Sequence, residues 1–136
     1  MRIALSTGGG DAPGLNAVIR AAVLGALDRG WDVLGVTKGY AGLLGEEDVV
    51  PLTRSEVRGI GHLGGTILRT TNRGNPFSYP VLQNDGTYAI VDRSDELIAR
   101  ASELGIEALI SIGGDGSLAI AKQLSDKGMR VVGVPK

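Results

Sequence analysis

Residues 113–117 read Gly-Gly-Asp-Gly-Ser, directly after an apolar run (residues 108–112, Ala-Leu-Ile-Ser-Ile) and directly before a helix-like segment. Each residue type suits a metal-bridged phosphate. Gly113, Gly114 and Gly116 let backbone N–H groups approach phosphate oxygens with no Cβ in the way. Ser117 is read as the start of a helix, whose N-terminus offers unpaired donors and the positive end of the helix dipole. Asp115 is the one charged side chain of the turn, and beside a phosphate a lone carboxylate acts chiefly through Mg²⁺, a cation that prefers oxygen ligands. The same five residues also suit a tight strand-to-helix turn in which Asp115 caps the helix. A second glycine turn, residues 8–14 (Gly-Gly-Gly-Asp-Ala-Pro-Gly), follows another short apolar run. Neither turn has the three-glycine spacing G-x-G-x-x-G of a dinucleotide site or the Gly-Lys-Ser/Thr ending of a P-loop. Between them lies a glycine-rich stretch, residues 59–75, that carries Arg69 and Arg73 among hydroxyl side chains. Arg suits bidentate contact with phosphate, and either residue also suits an exposed loop. His62, the single histidine, has no nucleophile motif around it, so the residues favour phosphoryl transfer by positioning and charge stabilisation over covalent hydrolysis.

These turns need a frame. Residues 2–7 read as a buried strand. A helix follows, with Leu15, Val18, Ile19, Ala22, Val23, Ala26 and Leu27 in one apolar stripe and Gly30 as its stop. Residues 32–37 read as the next strand, giving a βαβ unit. Residues 49–52 read as a short strand, and Thr53 as the cap of a brief helix ending at Val57. Asn84-Asp85-Gly86 marks a turn between strands at 79–83 and 87–91. Ser94 is read as the cap of a helix carrying Leu97, Ile98, Ala101 and Leu104 on one face. That helix feeds the strand at 108–112, residues 117–126 form another helix, and 130–135 a last strand. The expected fold is α/β: a Rossmann-like, open, mostly parallel sheet with helices on both faces.

The 136 residues suit one domain, with Lys plus Arg at 14 and Asp plus Glu at 15, so no basic field points to nucleic acid or an anionic membrane. Cysteine is absent, which excludes disulfides and thiolate chemistry and makes a cytoplasmic setting the expectation.

Five ordered blocks resemble the 6-phosphofructokinases. They are residues 9–20 (Gly-Gly-Asp-Ala-Pro-Gly-Leu-Asn-Ala-Val-Ile-Arg), 39–43 (Gly-Tyr-Ala-Gly-Leu), 64–68 (Gly-Gly-Thr-Ile-Leu), 113–117, and 132–136 (Val-Gly-Val-Pro-Lys). The block at 113–117 alone also occurs in NAD, diacylglycerol and sphingosine kinases; the others argue against those families. The resemblance implies glycolytic transfer of the γ-phosphoryl of Mg-ATP to the 1-hydroxyl of fructose 6-phosphate, in a homo-oligomer (tetramer or dimer). By matching position Gly10 would contact the transferred phosphate, Arg73 would stabilise transition-state charge, Asp115 would hold Mg²⁺, and Tyr40, Gly74, Gly114, Gly116 and Ser117 would line the nucleotide. The loop around Arg73 is a residue longer than in the best-known bacterial members, which leaves Arg69 as the other candidate for that role. Arg20 and Arg54 match effector-binding positions of allosteric relatives, and a further arginine called for one helical turn after Arg20 is here Leu24. In this family an Asp at the position of Gly116 accompanies pyrophosphate use, so Gly116 favours ATP; Lys136 occurs in pyrophosphate-dependent members and in one ATP-using branch. The alternatives are a pyrophosphate-dependent phosphotransferase and a non-catalytic nucleotide-binding module. The family's catalytic base is an Asp in a Thr-Ile-Asp-Asn-Asp loop that the resemblance puts directly after Lys136. The 136 residues are therefore expected to be the nucleotide-binding front part of a longer protein, binding nucleotide weakly and leaving sugar unphosphorylated.

Overall fold

The computed structural model describes residues 1–10, 12–71 and 74–136. The strands are β1 (Arg2–Thr7), β2 (Asp32–Val36), β3 (Val49–Pro51), β4 (Tyr79–Leu82), β5 (Tyr88–Val91), β6 (Ala108–Gly113) and β7 (Val131–Pro135). The helices are α1 (Leu15–Asp28), α2 (Arg54–Val57), α3 (Ser94–Glu103) and α4 (Asp115–Asp126), and a 3₁₀ turn spans Ala41–Leu44. Five strands form one sheet in the order β3-β2-β1-β6-β7. β1 pairs parallel with β2 and β6, and β6 parallel with β7, while β3 is an antiparallel edge.

β1 is central because Ile3, Ala4, Leu5, Ser6 and Thr7 are all buried, as a strand covered on both faces must be. Its side chains divide by parity. Ile3 and Leu5 join Val33 and Ile112 under Leu15, Ile19 and Val23 of α1. Ala4 joins Val36 and Leu109 under Leu97 and Ala101 of α3 and Leu124 of α4. Each large side chain buried in these two layers contributes about 1.5–3 kcal/mol. Helices thus cover both faces, as the α/β reading requires.

α1 ends where expected. Gly30, at φ 75, turns the chain so that its N–H reaches Leu27 O and the N–H of Trp31 reaches Ala26 O, the paired bonds of a Schellman cap. At α2, Thr53 and Glu56 form a reciprocal capping box.

Two readings change, and one pairing is new. α4 starts at Asp115 with Gly114 as its cap, two residues before Ser117. Ser94 is the first residue of α3 and not its cap; the Asp92 carboxylate accepts the Ser94 N–H at 2.9 Å and its hydroxyl at 2.6 Å. Asp92 is therefore held below the usual carboxylate range by those two bonds and the nearby Lys127 cation. Finally, β4 and β5 stand as a separate two-stranded antiparallel sheet. Arg93 ties that hairpin to the rest. It bonds Glu96, Glu46 and the Leu44 carbonyl, and its guanidinium lies 4.7 Å from the Tyr79 ring centroid.

The topology fixes where a ligand can sit. From β1 the chain crosses through α1 to β2 on one side, whereas β6 lies on the other side of β1, so the connections diverge at their carboxyl ends. That divergence is the switch point where open α/β sheets hold ligands.

Candidate functional site

The two glycine turns leave the sheet at this switch point. Thr7 of β1 lies in register with Ile112 of β6, and the Gly8 N–H extends the ladder to Ile112 O at 2.9 Å. Close approach explains the glycines. A Cβ on Gly113 would stand 2.6 Å from Ser117 Cβ, and one on Gly8 would overlap the Ser117 hydroxyl, so neither position has room for a side chain. The first intrahelical bond of α4 runs from Leu118 N–H to Gly114 O at 2.9 Å. The amides of residues 115–117 precede it and have no partner inside the helix, the arrangement that binds anions.

A cleft of about 330 Å³ opens here, with Gly8, Gly9, Tyr40, Gly74, Gly116 and Ser117 in its walls. Gly114 lines it too, so five of the expected residues, Tyr40, Gly74, Gly114, Gly116 and Ser117, converge. Gly10 and Asp115 are exposed and adjoin wall residues in the chain without forming the wall. Arg73 lies outside the described residues. A Cβ on Gly116 would meet nothing within 4 Å, so that wall is open space.

Tyr40 is buried, and its hydroxyl is committed. It donates to Ser117 O at 3.3 Å, which leaves the Ser111 hydroxyl, 3.1 Å away, to donate to the phenol oxygen. Burial pushes the phenol above its ordinary range despite the Ser111 bond. Tyr40 thus braces β6 against α4 from beneath the cleft.

Lys136 joins the two turns. Its backbone N–H bonds Gly113 O at 3.2 Å, and its ammonium donates to the Gly10 carbonyl. A fixed positive charge is thereby brought to the turns that the anion would occupy.

The stretch with Arg69 passes over the end of β1. Arg69 is exposed, absent from the cleft wall, and left-handed at φ 61. Arg20, exposed on α1, and Arg54, exposed on α2, belong to two helices that pack together, and neither lines the cleft. Arg54 pairs with Asp28 at 2.5 Å, and Leu24 packs against the core below α1.

Two residues went unnoticed in the sequence reading. Thr7 and Asn16 are buried polar side chains that bind the arginine stretch. An Asn in the first turn of an apolar-striped helix was the available signal, because Asn is a poor helix former that favours bonds to nearby backbone.

Among the described residues, no three His, Cys, Asp or Glu side chains gather as a metal cage. Mg²⁺ keeps several waters and is commonly held by one or two carboxylates plus substrate phosphates. Asp115, exposed in the first turn of α4 beside the cleft glycines, fits as such a carboxylate.

A phosphofructokinase family model matches residues 2–136. A Clostridium perfringens protein named ATP-dependent 6-phosphofructokinase 2 is 47% identical over 136 residues, covering 99% of this chain and 37% of its own length. An Amycolatopsis mediterranei protein named pyrophosphate–fructose 6-phosphate 1-phosphotransferase is 44% identical over 137 residues, covering 100% of this chain and 36% of its own. The solved structure of Pichia pastoris phosphofructokinase in the T-state superposes with a TM-score of 0.76 at 28% identity, over 98% of this chain and 14% of that one. The chain thus spans little more than a third of the length of these curated relatives.

Proposed function

The chain belongs to the phosphofructokinase family, and from that premise we propose that it is the nucleotide-binding part of an ATP-dependent 6-phosphofructokinase, a cytoplasmic glycolytic enzyme that moves the γ-phosphoryl of Mg-ATP to the 1-hydroxyl of fructose 6-phosphate. The observation that carries this reading is the open wall at Gly116 in a cleft built from both glycine turns. Relatives named for ATP and for pyrophosphate are about equally similar overall. The donor must therefore be argued from the cleft itself. With no side chain at Gly116, the wall leaves space for the α-phosphate and the nucleoside that a pyrophosphate site does without.

In this reading the triphosphate lies on the N-terminal amides of α4, where backbone donors and the helix dipole stabilise negative charge. Tyr40 and Ser117 form the rigid floor. Gly10 offers its backbone to the transferred group, and Lys136, already bonded to Gly10 and Gly113, holds both turns at one spacing. Mg²⁺ held by Asp115 would neutralise the phosphate charge as it shifts in the reaction. Arg73, with Arg69 as the alternative, supplies the side-chain cation, while Arg20 and Arg54 stand at the family's effector positions without the further arginine that Leu24 replaces. The active assembly is a homo-oligomer.

Isothermal titration of the 136-residue chain tests the donor. Mg-ATP is expected to bind, weakly, and magnesium pyrophosphate to bind at least tenfold more weakly; the reverse order would overturn the assignment.

A further inference from the structure

After α2, residues 60–69 cross the carboxyl end of β1 without regular structure, yet they are tightly fixed. Asn16, 2% exposed in the first turn of α1, donates its amide to Leu63 O at 3.3 Å and Gly64 O at 3.2 Å, and accepts the Ile67 N–H at 2.8 Å. Thr7, fully buried at the end of β1, donates its hydroxyl to Arg69 O at 2.9 Å. Because that proton is used, the Thr66 hydroxyl 3.0 Å away must donate to Thr7 Oγ1, and it accepts the Leu68 N–H at 3.2 Å. The hydrogen bonds therefore run one way: Leu68 N–H to Thr66, Thr66 to Thr7, Thr7 to the Arg69 carbonyl. Leu68 itself is buried against Gly35, and its carbonyl accepts the Lys38 N–H at 2.8 Å. Arg69 sits at φ 61, a conformation few non-glycine residues adopt, at the point where Thr7 holds its carbonyl.

Helix propensity and sheet pairing explain neither side chain. Asn16 interrupts a helix made of better formers, and Thr7 ends a strand whose ladder needs no hydroxyl. Both make all of these bonds to one loop. Thr7 also lines the cleft, so the loop is referenced directly to the wall of the ligand site.

We propose that Thr7 and Asn16 are positioning residues that set the arginine-bearing loop over the phosphate cleft, an inference that rests on the nucleotide reading above. They act through the loop and need not touch ligand. Loss of Thr7's hydroxyl unseats the Arg69 carbonyl and the Thr66 hydroxyl together; loss of Asn16 releases the loop's first half.

The test combines amide hydrogen exchange with a Mg-ATP titration of the 136-residue chain. In Thr7→Val, a swap of similar shape, the Leu68 amide is expected to exchange about tenfold faster, as for loss of one hydrogen bond, while the sheet amides of Leu5 and Ile110 keep their rates. Mg-ATP affinity falls by about tenfold, and Thr7→Ser restores both. Asn16→Ala does the same at Ile67. Thr66→Ala, altered from the loop side, gives the result even if Thr7→Val fails to fold. Unchanged exchange at Ile67 and Leu68 overturns the proposal, and so does a loosened loop with undiminished Mg-ATP binding. If the unaltered chain itself shows no Mg-ATP binding, the nucleotide reading fails instead, and the exchange data separate that case.

Discussion

Replacing Gly116 with Asp separates binding from folding. Gly116 is exposed, lies in the first turn of α4, lines the cleft, and has no atom within 4 Å of a Cβ built on it. The fold should therefore accept the side chain. A carboxylate in a first helical turn is favourable by about 0.3–1 kcal/mol, and removing a helical glycine contributes a further fraction of a kcal/mol. Stability should hold or rise slightly. Binding should move the other way, because the new charge enters the space assigned to the nucleotide's phosphates. Two like charges about 5 Å apart, at an effective dielectric of roughly 20–40, repel by about 2–3 kcal/mol, or roughly 30- to 200-fold in affinity. Calorimetry of Gly116→Asp should give a Tm equal to or above that of the unaltered chain and a Mg-ATP affinity reduced by that factor. Pyrophosphate binding should fall less, since it does not need the α-phosphate space. Unchanged Mg-ATP affinity in a folded variant would refute the placement of the nucleotide along Gly116. A large fall in Tm would refute the open-wall geometry.

Three further outcomes follow from the same contacts. Gly113→Ala should lower stability by about 1–3 kcal/mol in denaturant melts, since its methyl would meet Ser117 Cβ at 2.6 Å and the Gly8 carbonyl at 3.3 Å; a neutral result would mean the strand ends are not locked together. Burial raises the Tyr40 phenol above its ordinary 10.0, so the fold prefers the protonated form, and that stability is present below pH 10 and lost as pH rises through the folded value. Ultraviolet titration should show a tyrosine step above the ordinary phenol range, and Tyr40→Phe should remove that late step; an early, reversible Tyr40 titration would contradict the Ser111 and Ser117 bonding. Coupled assays of the purified 136-residue chain with fructose 6-phosphate and Mg-ATP should detect no turnover, because the resemblance assigns the base to residues after Lys136; appreciable turnover would refute that assignment.

Much of this was legible in the residues. The α1 stripe and Gly30 gave a helix whose observed end is one Schellman cap, and Asn84-Asp85-Gly86 marked a real hairpin turn, because both signals are local. Helix starts were read less well. Ser94 and Ser117 have the right chemistry for caps, but the acceptor at α3 is Asp92, and the tight packing of Ser117 on Gly8 and Gly113 leaves Gly114 as the cap of α4. Periodicity says nothing of partners, so neither the antiparallel pairing of β3 nor the separation of β4 and β5 from the main sheet was visible. The glycines of the cleft announced themselves through sterics. Thr7 and Asn16 did not, since their value lies in bonds to residues about 50 or 60 positions away along the chain.

The central claim is that the two glycine turns at the switch point hold Mg-ATP on the N-terminus of α4. Backbone amide shifts of the 136-residue chain, recorded through a Mg-ATP titration, test it most directly. The expected map is confined to Gly9, Gly74, Gly114, Gly116 and Ser117 with their neighbours. Shifts centred instead on Lys38, Glu47 and Pro80 of the adjoining hollow, which shares Thr71 and Gly74 with the cleft, or no shifts at millimolar nucleotide, would contradict it.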